Sequence, residues 1–421
     1  MASCKATDAV YHVDPPPAAK KLRELFYCAH MVHSHIAHFY ALAAPDFVLG
    51  PTSDPAERNI LGVVAKVGLE IGSEVIKHRA YAQDIQNVIG GKATHPVFAL
   101  PGGVSKPITE EERKDFEEKA KSEVEFAKFS LKLFNDVVLA NKDYLALITG
   151  DIYTMKSYYM GLVDSNNRIN FYDGDVRVVD EDGKEIVRFK PAEYLDYIAE
   201  HTEPWSYLKF PFLKKIGWKG FIEGRESGIY RVSPLARLNA ADGIATPLAQ
   251  AEYEKMYQTL GGKPVHATLA FHWARLIELL YAAERLLELS QDKEITSPEV
   301  RTIPTATPDE GVGIVEAPRG TLIHHYQTDS KGIVQKTNLI VATCHNYPAM
   351  NMSIKKVAQA VIQKGQEVSE GLLNMVEMAF RAYDPCFGCA THTLPGQMPL
   401  EVIIYDSQGG VVRRLSQSLP G

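Results

Sequence analysis

The stretch "TEEERKDFEEKAKSEVEFAKFSLKLFNDVV", Thr109 to Val138, constrains the fold more than any other part of this chain. It carries apolar residues at helical spacing, a threonine placed to cap, and acidic side chains in its first turn where the helix dipole favours them. Two companions precede it. Ala18 to Ala44 places Leu22, Leu25, Phe26, Ala29, Val32 and Ile36 on one side and predicts a helix ending before Pro45. A second helix is predicted from Pro55 to Ile85, capped by Asp54. Helices this long need neighbours to bury their apolar stripes, so the first third reads as a bundle.

The pattern changes near residue 151. Short alternating runs separated by "DSNNR", "YDGD" and "DEDGKE" predict a small β insert over about 151–190. Helices resume at Pro247–Leu260 and Ala267–Leu289. Strands are predicted between Glu299 and Ala342 with "DSKG" as a hairpin turn, and "SIKKVAQAVIQKGQ" returns to helix. The fold class is mainly α with small β inserts (α+β). With 45% hydrophobic and 23% charged residues among 421, the chain can bury a large core. Its net charge of −7 has no basic block, which argues against nucleic acid. No apolar run is long enough to span a bilayer, and the first residues lack the pattern of a secretion signal, so the expected location is the cytoplasm.

The five cysteines, Cys4, Cys28, Cys344, Cys386 and Cys389, are odd in number and mostly scattered, which argues against a disulfide framework. Only Cys386 and Cys389 are close, in "DPCFGCATHT", with His392 three residues beyond. Their spacing lets two sulfurs converge on one centre. By itself it leaves open a redox dithiol, half of a soft-metal site, or a coincidence of spacing. His30, Ser34 and His38 recur every four residues, and they are read as packing and hydrogen-bonding groups. His324 and His325 alternate across a strand, so at most one can face a site. Cys4, Cys28 and Cys344 read as small apolar fillers.

The complete string Asp384, Pro385, Cys386, Cys389, His392 resembles the carboxy-terminal D-P-C-x-x-C-x-x-H motif of nickel–iron hydrogenase large subunits. "HSHIAHFYALAAPDFV", "HPVFALPGGV", "GIYRVSPLARLN", "EAPRGTLIHHY" and "NLIVATCHN" also resemble segments of the cytoplasmic members, in the same order along nearly the whole chain. The resemblance implies a long-helix bundle and a nickel–iron centre whose iron carries carbon monoxide and cyanide. Cys386 would be a terminal nickel ligand and the first choice for proton acceptor, and Cys389 a bridge between the metals; thiolates suit both metals. His392 would bind a separate magnesium or iron ion near the carboxy end. Arg319 would stand over the vacant coordination position, oriented by Asp384, while Pro318, Leu322 and Thr343 would line the diatomic ligands.

The same resemblance implies heterolytic cleavage of dihydrogen. No cluster-binding cysteine set is present in the sequence, so an iron–sulfur small subunit must carry the electrons onward. Further acceptor subunits are implied beyond it, serving heterodisulfide reductase, nicotinamide or deazaflavin. The family's amino-terminal R-x-C-G-x-C-x-x-x-H motif is not in this sequence, and "ASCKATDAVYHVDPPP" looks like the segment just after that motif in the family. An amino-terminally truncated form is therefore expected, with a non-catalytic hydrogenase-like scaffold as the alternative. The body would span 1–392, and 393–421 would be an extension that a maturation endopeptidase removes after His392.

Overall fold

The computed structural model describes residues 1–206, 208–386, 401–406 and 408–416. It divides into two compact units, Met1–Asp384 and Pro385–Gly421. The first is mainly helical with small sheets, and the expected division after His392 lies outside the described residues.

The centre of the first unit is the helix Phe271–Gln291, whose Leu276, Ile277, Leu279, Ala282, Ala283 and Leu286 are fully buried. A helix apolar on every side must be wrapped by others. The helices Pro17–Ala37 and Glu110–Phe134 pack directly on it. Thr109 accepts from the Glu112 N–H at 3.1 Å while Glu112 returns to the Thr109 N–H at 2.7 Å, a reciprocal cap that fixes where this helix starts.

Two helix boundaries differ from the sequence expectation. The first helix does not stop before Pro45. It widens into a π-type segment, His38–Ala43, and continues as Ala44–Val48. Proline lacks an N–H and crowds the carbonyl four residues back, and a wider turn relieves both effects without ending the helix. The second expected helix is two helices, Ile60–Val67 and Leu69–Gly90, broken at Gly68 with φ of 98°. Asn59, not Asp54, caps it by accepting from the Leu61 and Gly62 N–H groups. Asp54 instead closes a local turn onto Ala56.

The β insert forms a four-stranded sheet in the order Glu185–Phe189, Asp175–Val179, Tyr158–Val163, Tyr230–Arg231, antiparallel except for the last pair. A separate antiparallel pair, Ile198–Thr202 and Lys209–Leu213, lies after the insert in the chain. The third sheet joins Glu310–Ala317, Gly320–Thr328 and Val334–Ile340, with Gly320–Thr328 in the middle. Asp329 accepts from Lys331 and Ile333 to close the "DSKG" turn.

Among the described residues, the helices Ala2–Val10, Lys142–Thr149, Tyr194–Tyr197, Pro234–Ala240 and Glu370–Arg381 have no counterpart in the sequence expectation. The first lies on the Glu310–Ala317 strand, where added Cβ atoms at Gly311 and Gly313 would sit 2.3 and 2.2 Å from the helix backbone. Only glycine permits that approach. In the second unit, Glu401–Tyr405 and Val411–Ser416 form an antiparallel hairpin around Asp406, Gly409 and Gly410. Among the described residues, no helix is long and apolar enough to cross a membrane.

Candidate metal centre

Ala317 pairs with Gly320 across the sheet, so Pro318 and Arg319 are the two residues of a tight hairpin loop. Proline fixes the first position, and Gly320 takes a φ of 128° that other residues rarely adopt. A Cβ at Gly320 would lie 2.1 Å from Val232 Cγ2, so the loop is pressed against the segment leading into Pro234–Ala240. The loop tip delivers the Arg319 guanidinium to Asp384, with Nη2 3.2 Å from Oδ1.

Asp384 is 2% exposed and holds a left-handed backbone with φ of 56°, just beyond the Glu370–Arg381 helix. Burial raises its carboxyl above the ordinary range, and Arg319 and Arg275 offset only part of that. Arg275 is itself fully buried on the central helix. It donates from Nη2 to the Ala382 carbonyl at 3.0 Å, and burial brings its pKa down to about 10. Nearby, His38 reaches the Arg381 carbonyl at 2.9 Å and stacks on His272 with ring centres 5.5 Å apart. Burial holds both imidazoles well below their usual pKa, hence neutral at pH 7.

This neighbourhood has unmet hydrogen-bonding capacity. Among the described residues, Arg319 Nε, Arg275 Nε, Asp384 Oδ2, His38 Nδ1 and His272 Nδ1 are buried without a partner. Native interiors rarely leave so many polar atoms unmet in one place unless something else answers them. Two guanidiniums with free N–H groups suit an anionic group, and the thiolates predicted at Cys386 and Cys389 suit a soft metal. The unmet donors of Arg319 and Arg275 therefore fit an anionic group, such as a metal centre with anionic ligands. Cys386 is disulfide-bonded in this structure, and a thiolate ligand requires that bond reduced. Cys389 and His392 lie outside the described residues.

Of the other predicted wall residues, Pro318 is buried in the hairpin loop beside Arg319, and Thr343 is buried in the 3₁₀ turn Ala342–Asn346. Leu322 lines a cavity of about 660 Å³ together with Ala317, Tyr27, His30 and Cys4. His30 borders that cavity, and its burial lowers the imidazole pKa to about 4. His325 is turned the other way, bonded to Glu310 at 2.6 Å and Tyr194 at 3.0 Å, and His324 bonds Tyr326.

A buried charged network behind the hairpin has no counterpart in the sequence expectation. Arg237 forks onto Glu278 at 2.6 and 2.6 Å and reaches Glu316 at 2.8 Å, all three side chains fully buried. His35 adds a 3.2 Å contact to Glu278. Burial opposes both carboxylates. The bidentate arginine and His35 outweigh it at Glu278, whose pKa falls, whereas one arginine contact with the Thr321 hydroxyl and the Leu162 N–H does not at Glu316, whose pKa rises. The available signal was Glu278 within "FHWARLIELLYAAERLLELS": a charge on a helix apolar all round must find a buried partner.

A model of the family described as nickel-dependent hydrogenase matches residues 1–58 and 224–392. The chain is 52% identical over 414 residues to an iron-sulfur subunit of the F420-non-reducing hydrogenase of Archaeoglobus profundus, covering 98% of this chain and 85% of that protein. It is 37% identical to the NAD-reducing hydrogenase HoxS subunit beta of Cupriavidus necator, covering 94% of this chain and 80% of that one. A solved NAD+-reducing NiFe hydrogenase in its H2-reduced state superposes with a TM-score of 0.85 at 35% identity, over 93% of this chain and 84% of that chain. The sequence, the fold and the relatives agree: the chain belongs to the nickel-dependent hydrogenase family, as a large subunit of the nickel–iron type.

Proposed function

We propose that Cys386 and Cys389, in the reduced chain, hold a nickel–iron centre that Arg319 and Asp384 serve, and that this large subunit cleaves dihydrogen heterolytically and reversibly. When bound, that centre supplies the coordination position at which dihydrogen is polarised. The chain's own groups do the rest. With the centre bound, the Arg319 guanidinium, oriented by Asp384, would stabilise the negative charge that develops, because its donors would already be aimed when the charge appears. The Cys386 sulfur takes the proton. Arg319 serves electrostatically and not as the base. Pro318, Leu322 and Thr343 would wall carbon monoxide and cyanide ligands of the iron, and His392 would hold a separate magnesium or iron ion.

Electrons leave through an iron–sulfur small subunit, then through acceptor subunits. Relatives named F420-non-reducing and NAD-reducing hydrogenases differ in their acceptors, and for this chain heterodisulfide reductase is the acceptor favoured. A maturation endopeptidase removes 393–421 after His392.

The observation that carries this reading is the 3.2 Å pair between Arg319, at the tip of a two-residue hairpin, and a buried aspartate two positions before Cys386. Arg319→Lys keeps the charge but loses the planar fork. It is expected to retain nickel and iron while lowering dihydrogen oxidation by at least about tenfold. Wild-type turnover in the metal-loaded variant removes Arg319 from the mechanism.

A further inference from the structure

We propose that Arg237 is a positioning residue for Arg319, an inference that rests on the role just given to Arg319. Beyond its two carboxylates, the Arg237 guanidinium donates from Nη1 to the Ala317 carbonyl at 2.7 Å and from Nη2 to the Pro318 carbonyl at 3.4 Å. These are the two residues immediately before Arg319. One buried side chain therefore holds the base of the hairpin loop from beneath.

The rest of the network fixes Arg237 in turn. Glu278 clamps it from the central helix. Glu316, on the strand that enters the loop, adds a third anchor and is itself held by the Thr321 hydroxyl at 2.8 Å and the Leu162 N–H at 2.9 Å. Thr321 lies on the strand that leaves the loop, so both arms of the hairpin are tied to the same group. Gly320 pressed against Val232 closes the opposite side. The Pro318–Arg319 peptide has little freedom, and the Arg319 head is aimed by its anchors more than by its own contacts. Lysine at position 237 cannot reproduce this: one ammonium offers three donors without the fork that serves two carboxylates and two carbonyls together.

The test is a double-mutant cycle in the purified complex, with nickel content measured for every variant. Arg237→Lys is expected to lower kcat for dihydrogen oxidation about tenfold while leaving KM for dihydrogen within about twofold, the signature of a misplaced group in the transition state. In the Arg319→Lys background the same substitution is expected to cost less than about twofold, because there is no longer a guanidinium to aim. If Arg237→Lys fails to load nickel, Arg237→Gln with Glu278→Gln, which removes one charge of each sign, takes its place in the cycle. Equal costs in both backgrounds, or full activity of the position 237 variant, overturn the positioning role while leaving Arg319 in place. A harmless Arg319→Lys overturns both readings.

Discussion

Glu123 offers a test of how this fold tolerates buried charge. It sits on the Glu110–Phe134 helix with no exposed surface, and neither carboxylate oxygen has a hydrogen-bond partner. His78 Nδ1 lies 3.3 Å from Oε2 but is not aligned to donate, and the imidazole stacks on Phe126 instead. Burial raises the Glu123 carboxyl above 4.5, and His78 offsets only part of that. The sign comes from proton linkage. A carboxyl with a higher pKa in the folded state holds its proton more tightly there. Its contribution to stability is complete below the unfolded value and is lost as pH rises through the folded value.

Glu123→Gln keeps the shape and cannot ionise. It should match the wild type near pH 4 and exceed it near pH 8, by about 1–3 kcal/mol, the usual cost of an unanswered buried polar group. In a chain of 421 residues that corresponds to roughly 1–3 °C of melting temperature. Thermal melts of both proteins at the two pH values measure it. A variant that loses stability relative to the wild type as pH rises would show that the carboxylate is stabilising, and the electrostatic reasoning used for Asp384 and Glu316 would fail with it.

Two further outcomes are expected from the same structure. Gly320→Ala forces a Cβ into Val232 at a backbone φ of 128°, so it should cost about 2–3 kcal/mol and lower turnover through the displaced Arg319 loop, read by melting temperature and dihydrogen oxidation together. Intact-mass measurement of the mature complex should find this chain ending at His392, and mature, metal-loaded protein still ending at Gly421 would remove the cleavage step from the account.

How much of this was legible in the sequence depended on whether the determining contacts were local. Thr109 and Glu112 are three residues apart, and their cap could be read directly; so could the "DSKG" turn. The π-type widening at His38–Ala43 was not, because periodicity tells where a proline is tolerated only after the neighbouring helices are known. Gly68 lies inside what was expected to be one long helix, but its positive φ makes it a break between two. The Arg319–Asp384 pair was expected from a resemblance and not from spacing, since the two residues are far apart in the chain. Arg237, Glu278 and Glu316 come from a short helix, the central helix and a strand, and no local pattern could have joined them. Buried charges on apolar elements were the one signal that partners had to exist.

The most direct test of the central claim is nickel and iron content of the purified, reduced complex, compared with Cys386→Ser and Cys389→Ser. The account predicts nickel and iron in the wild type and loss of nickel in both variants. Wild-type nickel in both variants, or zinc alone in the wild type, would contradict it.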